Sequence, residues 1–190
     1  MKNLNVIYGG YAVERINEDH YEKKSVIFDV RNIVSVQSSK YSNTVIDYAK
    51  LLDEMLDGGV FVDAVAVDGL VLDERGRDAS RIFHDDLRRS GFTVELVPST
   101  NGKGKQDGVD VKIALIAQRF ILGGNCDVVE LVSGGGDFAV LVEELQSMGA
   151  RVNVTSFGHS LSDALRMSAN DVRILDSVPL VRMPGSQEAA

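Results

Sequence analysis

Short apolar runs alternate along the chain with longer segments whose apolar residues recur at every third or fourth position. The short runs are rich in β-branched residues, as strands are when helices cover both faces of a parallel sheet. They predict strands at residues 25–28, 61–72, 93–97, 128–132, 151–156 and 172–175. The periodic segments predict amphipathic helices at residues 44–57, 78–89, 109–122 and 137–148, and a capping pattern at 160–163 predicts one more.

The alternation of strands and helices defines the predicted fold class. Strand–helix–strand units join parallel strands through right-handed crossovers, which place helices on both faces of the sheet. We therefore predict an α/β fold, a three-layer sandwich with a mostly parallel central sheet. In such sheets, ligands bind beyond the carboxyl ends of the strands, near the point where the strand order reverses. Residues that directly follow a predicted strand are the first candidates for a functional site.

The length of 190 residues suits one domain, which we place at residues 25–182. Residues 1–24 form a polar N-terminal extension with a short apolar stretch, which we interpret as an added strand or as a contact with another subunit of a homo-oligomer. Residues 183–190 are typical of a disordered tail. We expect no membrane span and no signal peptide, and hence a cytoplasmic protein. The single cysteine, Cys126, excludes a disulfide within the chain, and we expect it in the core.

The formal net charge of −8 opposes binding to nucleic acid, because phosphate affinity comes mainly from Lys and Arg. Two arrangements would remove this opposition. The acidic residues could gather around a cation, or the basic residues could gather on one face of the protein. Otherwise the acidity serves solubility alone.

Three carboxylates are expected at the carboxyl edge of the sheet. Asp29 ends the first predicted strand, Asp137 follows the fourth strand across a glycine turn, and Asp110 starts a helix. Carboxylates packed together repel one another, and a bound cation removes that repulsion. Oxygen ligands favour Mg²⁺ or Mn²⁺, which can activate water and stabilise charge on a phosphoryl group. The alternative is that Asp110 and Asp137 are helix caps.

Basic residues flank these acids. Lys103 and Lys105 lie in a Gly-rich loop, Lys112 follows Asp110, and Arg31 lies two residues after Asp29. The loop glycines would let the backbone approach a phosphate chain, and the positive groups would offset the global acidity. The alternative is a flexible, solvated loop.

Three segments carry a family resemblance. VIFDVRN, GVDVKIALIA and VVELVSGGGDFAVLVEELQSMGARVNV resemble, in this order, the motifs of the NYN family, including its LabA-like branch. The resemblance covers roughly residues 25–176 and implies a PIN-like fold with metal-dependent ribonuclease activity. It implies that Asp29, Asp110 and Asp137 bind Mg²⁺ or Mn²⁺ and that RNA is the partner. Asn32 and Ser133 fall within the matching motifs, where they could bind substrate or merely stabilise turns.

Two positions depart from the family pattern. The family usually has an acid where this chain has Gly135, and commonly an Asp where it has Ile116. Three hypotheses therefore stand: a metal-dependent ribonuclease, a degenerate member that binds RNA or protein without cutting, and a nucleotide-binding protein. The third rests on the sequence GGGDFA at 134–139, which fits a dinucleotide-binding pattern but follows the fourth strand rather than the first.

Overall fold

The computed structural model describes residues 7–8, 11–12, 21–40, 44–70, 74–98, 108–175 and 180–182. Strands in this part are β1 (Ile7–Tyr8), β2 (Tyr11–Ala12), β3 (Lys23–Asp29), β4 (Thr44–Ile46), β5 (Val60–Gly69), β6 (Thr93–Val97), β7 (Val128–Val132), β8 (Arg151–Ser156), β9 (Asp171–Ile174) and β10 (Leu180–Arg182). Helices are α1 (Val30–Lys40), α2 (Tyr48–Leu56), α3 (Glu74–Arg89), α4 (Val109–Leu122), α5 (Phe138–Ser147) and α6 (Asp163–Ser168). None of these helices is both long enough and apolar enough to cross a membrane.

The central sheet has six parallel strands in the order β6-β5-β3-β7-β8-β9. The chain builds one half outward from β3 through β5 and β6, and the other half through β7, β8 and β9. The strand order therefore reverses between β3 and β7, which are hydrogen-bonded neighbours in register from Lys24↔Val128 to Phe28↔Val132. This topological switch point is where a doubly wound α/β fold places its ligand. The predicted α/β fold class is confirmed.

Two apolar layers hold the helices against the sheet. On one face, Ile27, Val65 and Leu131 pack in a buried cluster with residues of α4 and α5. On the other face, Phe28, Ala66 and neighbouring strand residues pack in a second cluster with α1, α2 and α3. Side chains alternate between the two faces along each strand, so consecutive residues of β3 belong to opposite clusters. Cys126 is buried in the first cluster, as expected.

The segment between β3 and β5 differs from the sequence prediction. Helix α1 was not predicted, because a run rich in Val, Ile and Ser has low helix propensity, although its buried residues Val30, Ile33 and Gln37 recur at helical spacing. The predicted helix at 44–57 is shorter, since residues 44–46 form β4, which pairs with β10. Asp47 then caps α2 by accepting a hydrogen bond from the Lys50 N–H at 3.0 Å.

A buried ion pair joins the sheet to α2. The Lys24 ammonium lies 3.5 Å from Glu130 Oε1 and donates to the carbonyl oxygens of Met55 and Asp57 at 3.1 and 3.2 Å. Glu130 Oε1 also accepts from the Asn153 side-chain amide at 2.9 Å. Both charged side chains are buried, so each depends on the other for compensation.

Removing one partner of this pair should therefore cost more than removing both charges. We expect Lys24→Met to lower the free energy of unfolding by about 3–5 kcal/mol, because the Glu130 carboxylate loses its buried counter-ion. Adding Glu130→Gln to Lys24→Met should recover most of that loss, since Gln keeps the acceptor for Asn153. Urea unfolding at neutral pH measures both variants. A double variant that is as unstable as Lys24→Met, or less stable, would contradict this account.

Candidate functional site

Asp29 lies at the centre of the candidate site. It is the last residue of β3, its exposed fraction is 5%, and both its oxygens accept hydrogen bonds. The Asn32 N–H donates to Oδ1 at 3.3 Å, which ties the carboxylate to the start of α1. The Ser133 hydroxyl donates to Oδ2 at 2.8 Å from the end of the neighbouring strand β7. The Ser133 bond therefore crosses the switch point of the sheet.

Asn32 and Ser133 also fix the glycine turn that follows β7. The Gly134 N–H donates to Asn32 Oδ1 at 3.0 Å, and the Gly135 N–H donates to Ser133 Oγ at 3.3 Å. Asn32 thus does more than cap a local turn, because its side chain joins the loop after β3 to the loop after β7. The structure brings together Asp29, Asn32 and Ser133, three residues that sequence reasoning proposed for the site.

The two neighbouring glycines have different steric surroundings. A Cβ at Gly134 would come within 2.5 Å of the Ser160 carbonyl oxygen, so the close approach of these two loops requires glycine there. A Cβ at Gly135 would have nothing nearer than 3.5 Å, an ordinary van der Waals distance. The position where the resembling family has an acid is therefore open in this protein.

Asp110 and Asp137 are both exposed at helix starts near this turn. Gly108, in the left-handed conformation, occupies the N-cap position of α4, so Asp110 is the second residue of the helix rather than its cap. Asp137 occupies the N-cap position of α5, but its side chain makes no capping hydrogen bond. The alternative role of Asp137 as a helix cap is therefore not supported by a side-chain hydrogen bond.

The acidic side chains are electrostatically coupled. Burial raises the pKa of Asp29 from 3.8 to about 6, the hydrogen bonds from Ser133 and Asn32 oppose this shift, and the charges of Asp110 and Asp68 add to it. Partial desolvation raises the pKa of the surface residue Asp110, with a further contribution from the charge of Asp137. The three predicted acids thus form a series of mutually repelling charges. No Lys or Arg of the described part of the chain pairs with Asp29.

Asp68 is a residue that sequence reasoning missed. It lies next to the end of β5, its Oδ2 lies 2.9 Å from His84 Nε2 and its Oδ1 accepts from the Gly69 N–H at 2.7 Å. Both Asp68 and His84 are buried. The signal was present, since Asp68 follows the apolar run Ala64–Val67 just as Asp29 follows its own strand. The contact of His84 with Asp68 could not be predicted from the sequence, because it depends on how α3 packs beside β5.

The basic residues predicted for the site are not brought together in the way that Asp29, Asn32 and Ser133 are. Arg31 is exposed in the first turn of α1. The Lys112 ammonium lies 3.2 Å from Glu95 Oε2, so its charge is already paired. Lys103 and Lys105 lie outside the described residues. Ile116, where the family commonly has an Asp, lies on the buried face of α4. It is about 9 Å further along the helix axis than Asp110, given a rise of about 1.5 Å per residue.

The chemistry of the donor set fits a hard divalent cation. The predicted ligands Asp29, Asp110 and Asp137 offer only oxygen atoms, and each carboxylate oxygen of Asp29 accepts one hydrogen bond and retains a further lone pair. Their mutual repulsion would be relieved by positive charge. In the present side-chain arrangement, however, the described residues contain no group of three or more acidic, His or Cys side chains placed to hold a metal ion.

Fold and site together define a doubly wound α/β protein with a buried acid, Asp29, at its switch point. The chain belongs to the NYN domain family, whose model matches residues 23–176, and this family is nuclease-related. The PIN-like placement expected from the sequence is consistent with that family. The match begins with the first residue of β3, so it includes two residues that we had assigned to the N-terminal extension.

A solved structure resembles the whole domain. It is a protein of unknown function, VPA0982 from Vibrio parahaemolyticus RIMD 2210633, with a TM-score of 0.74 and 30% sequence identity. The similarity covers 87% of this chain and 100% of that chain. No curated protein matches the chain.

The raised pKa of Asp29 makes a prediction about stability. A carboxyl group whose pKa is higher in the folded state than in the unfolded state binds its proton more tightly when folded, so stability is lost as the pH rises from about 4 through about 6. Two pKa units correspond to about 3 kcal/mol. We expect Asp29→Asn to unfold at higher urea than the wild type at pH 8, with the difference vanishing near pH 4. Chelator should be present throughout. An Asn variant that is less stable at pH 8 would contradict the electrostatic account.

Proposed function

We propose that this NYN protein is a metal-dependent ribonuclease that hydrolyses RNA phosphodiester bonds, with Asp29, Asp110 and Asp137 binding Mg²⁺ or Mn²⁺. The observation that supports it most is the burial of Asp29 at the switch point, where its charge is coupled to that of Asp110 without a basic partner in the described part of the chain. A protein keeps such an unfavourable charge when it serves a site. Membership of a nuclease-related family supports the same assignment.

The surrounding residues would hold this site in shape. Ser133 and the Asn32 N–H direct their hydrogens at the two oxygens of Asp29, which fixes the carboxylate plane and favours its ionised form. The Asn32 side-chain oxygen accepts from Gly134, so its amide NH₂ remains available to donate to a phosphate oxygen. A divalent cation, when bound, would supply an activated water and stabilise charge on the phosphoryl group.

Substrate binding would draw on the edge of the same site. Arg31 is exposed one residue before Asn32 and can reach toward a phosphate chain. Lys112 is half-buried against Glu95, so it would have to exchange this partner for phosphate. We propose Lys103 and Lys105 as further phosphate contacts on the basis of the sequence alone. The protein would act on RNA in the cytoplasm.

Cleavage of RNA tests the proposed function directly. We expect the wild type to cut a mixed-sequence RNA in Mn²⁺ or Mg²⁺ and to lose activity with chelator. Asp29→Asn and Asp137→Asn should each lower the cleavage rate by at least about 100-fold, because even outer-shell partners of metal ligands contribute about 10- to 100-fold. End-labelled RNA resolved on denaturing gels gives the rate.

Asp171→Asn is the matched control for these variants. Asp171 is exposed at the first residue of β9, at the amino edge of the sheet, so the same loss of charge occurs at the opposite end from the site. Its activity should equal that of the wild type. A wild-type protein that is inactive with every divalent metal and RNA tested would reject the ribonuclease.

A second candidate function is a degenerate NYN module that binds RNA or protein without turnover. Two features favour it: the family resemblance places an acid where this chain has Gly135, and the described acids do not form a group placed to hold a metal ion. This module would bind its partner equally well with and without chelator. Binding that requires Mn²⁺ would favour the nuclease instead.

Restoring the family acid separates the two candidates. We expect Gly135→Asp to fold, because a Cβ at this position meets nothing nearer than 3.5 Å. If the other acids still form a metal site, the added carboxylate should tighten Mn²⁺ binding by at least about tenfold, since ligand charge sets affinity for hard cations. Thermal unfolding in increasing Mn²⁺ measures this affinity.

Gly135→Asn is the control, because it has nearly the same shape without the charge. It should leave the Mn²⁺ dependence of unfolding close to that of the wild type. A folded Gly135→Asp variant whose unfolding does not respond to Mn²⁺ would indicate that Asp29, Asp110 and Asp137 do not form a metal site.

A further inference from the structure

A cavity beside α2 and the outermost strand β9 plays no part in the candidate site. Its volume is about 420 Å³, which falls within the range of small-molecule sites. We refer to it as the α2–β9 cavity. Five charged residues from the two elements line it: Lys50, Asp53, Glu54, Asp57 and Arg173. A lining of charged side chains suits a polar ligand, because an apolar ligand would desolvate these charges without replacing their contacts with water.

The two sides of the α2–β9 cavity differ in charge. Four of the lining residues lie on or directly after α2, at spacings of three and four, on the side of the helix away from its buried residues. Three of these four are acids, and the fourth is Lys50. Arg173, on β9, supplies a second cation from the sheet. The lining as a whole therefore carries one excess negative charge.

The side chain of Arg173 has an unsatisfied donor. Its Nη1 is buried and makes no hydrogen bond within the described part of the chain. Thr155 lies opposite Arg173 on β8 and is 1% exposed, and its Oγ1 is also buried without a partner among the described residues. Buried polar groups are nearly always hydrogen-bonded in folded proteins. Two unsatisfied atoms on paired residues therefore indicate that a polar group from outside the chain binds beside Arg173.

The opposite charges of the lining do not neutralise one another. In the part of the chain that the structure describes, neither of the two cations forms an ion pair with any of the three acids. A guanidinium is a planar fork that fits a carboxylate, whereas carboxylates fit ammonium and guanidinium groups. A ligand that bears charges of both signs would therefore satisfy both sides of the cavity at once.

We infer that the α2–β9 cavity binds a free basic amino acid, with its carboxylate on Arg173 and its cationic groups on the acids of α2. A basic amino acid carries one negative and two positive charges, so its net positive charge balances the excess negative charge of the lining. A dicarboxylate would be repelled by the three acids. A diamine would leave the buried donor of Arg173 unsatisfied.

Calorimetric titration of the full-length protein with L-arginine tests this inference. Two matched compounds each lack one of the required charges. Agmatine has no carboxylate, and L-citrulline has nearly the shape of arginine with an uncharged side chain. We expect L-arginine to bind, and each matched compound to bind at least about tenfold more weakly, because each loses hydrogen bonds between charged groups.

Variants assign each charge of the ligand to its side of the cavity. Arg173→Met should lower the affinity for L-arginine by at least about tenfold and leave the affinity for agmatine unchanged, since agmatine has no carboxylate to lose a partner. Glu54→Gln should weaken the binding of both compounds. The controls are Arg166→Met and Glu143→Gln, exposed residues of α6 and α5 on the other face of the sheet. Both controls should bind L-arginine as the wild type does, and circular dichroism should confirm that all variants fold.

Other results would overturn the inference. A wild type that binds no L-arginine even at millimolar concentration has only solvent in this cavity. Agmatine that binds the wild type as tightly as L-arginine would exclude the contact with Arg173, and equally tight L-citrulline would exclude the contact with the acids. If Arg173→Met does not fold, Glu54→Gln and the comparison of the three compounds still decide. None of these readouts requires a divalent metal or RNA, so they stand apart from the test of the proposed function.

Discussion

The hydrogen bond between Ser133 and Asp29 is the contact on which the organisation of the site depends. It joins the ends of β3 and β7, the two strands between which the strand order reverses, and it holds a carboxylate that burial would otherwise leave poorly solvated. Asn32 works from the other side, since its backbone binds Asp29 and its side chain binds the glycine turn. These bonds keep an acid at the one place in the sheet where neighbouring loops diverge and leave room for a ligand.

The protein treats two buried charges in opposite ways. Glu130, in the middle of β7, has Lys24 and Asn153 as partners, and its function is structural because the pair joins the sheet to α2. Asp29, at the edge, has hydrogen-bond donors but no basic partner in the described part of the chain, and neighbouring acids make its ionisation harder. A carboxylate that only stabilised the fold would be better stabilised by a basic partner, as Glu130 is by Lys24. This difference supports the proposed function, in which Asp29 would be kept for a ligand at a loss of stability.

The sequence predicted the structure best where a local residue pattern was enough to determine the element that it forms. The apolar runs at 93–97, 128–132 and 151–156 are strands of the central sheet, and the structure gives them the predicted bounds. The alternation of elements also placed Asp29 and Ser133 at the same sheet edge. Contacts between distant segments were beyond such reasoning: β4 is extended because β10 pairs with it, and His84 approaches Asp68 because α3 packs beside β5. Asp68 itself follows an apolar run and could have been proposed by the rule that selected Asp29.

The net charge of −8 gains a physical meaning from the position of the acids. Lys112, one of the basic residues expected at the site, is already paired with Glu95, so the described edge presents more negative than positive charge to a phosphate chain. RNA would meet repulsion there unless positive charge accompanied it. Metal binding and RNA binding are therefore expected to be thermodynamically linked at this site, each favouring the other by the same factor. Compared with the acid that the family resemblance places at this position, Gly135 would weaken the attraction for a cation and also lessen the repulsion of phosphate. In the proposed function, the larger of these two effects would decide between cutting and binding, and the balance would be set by three carboxylates whose charges oppose one another in the folded protein.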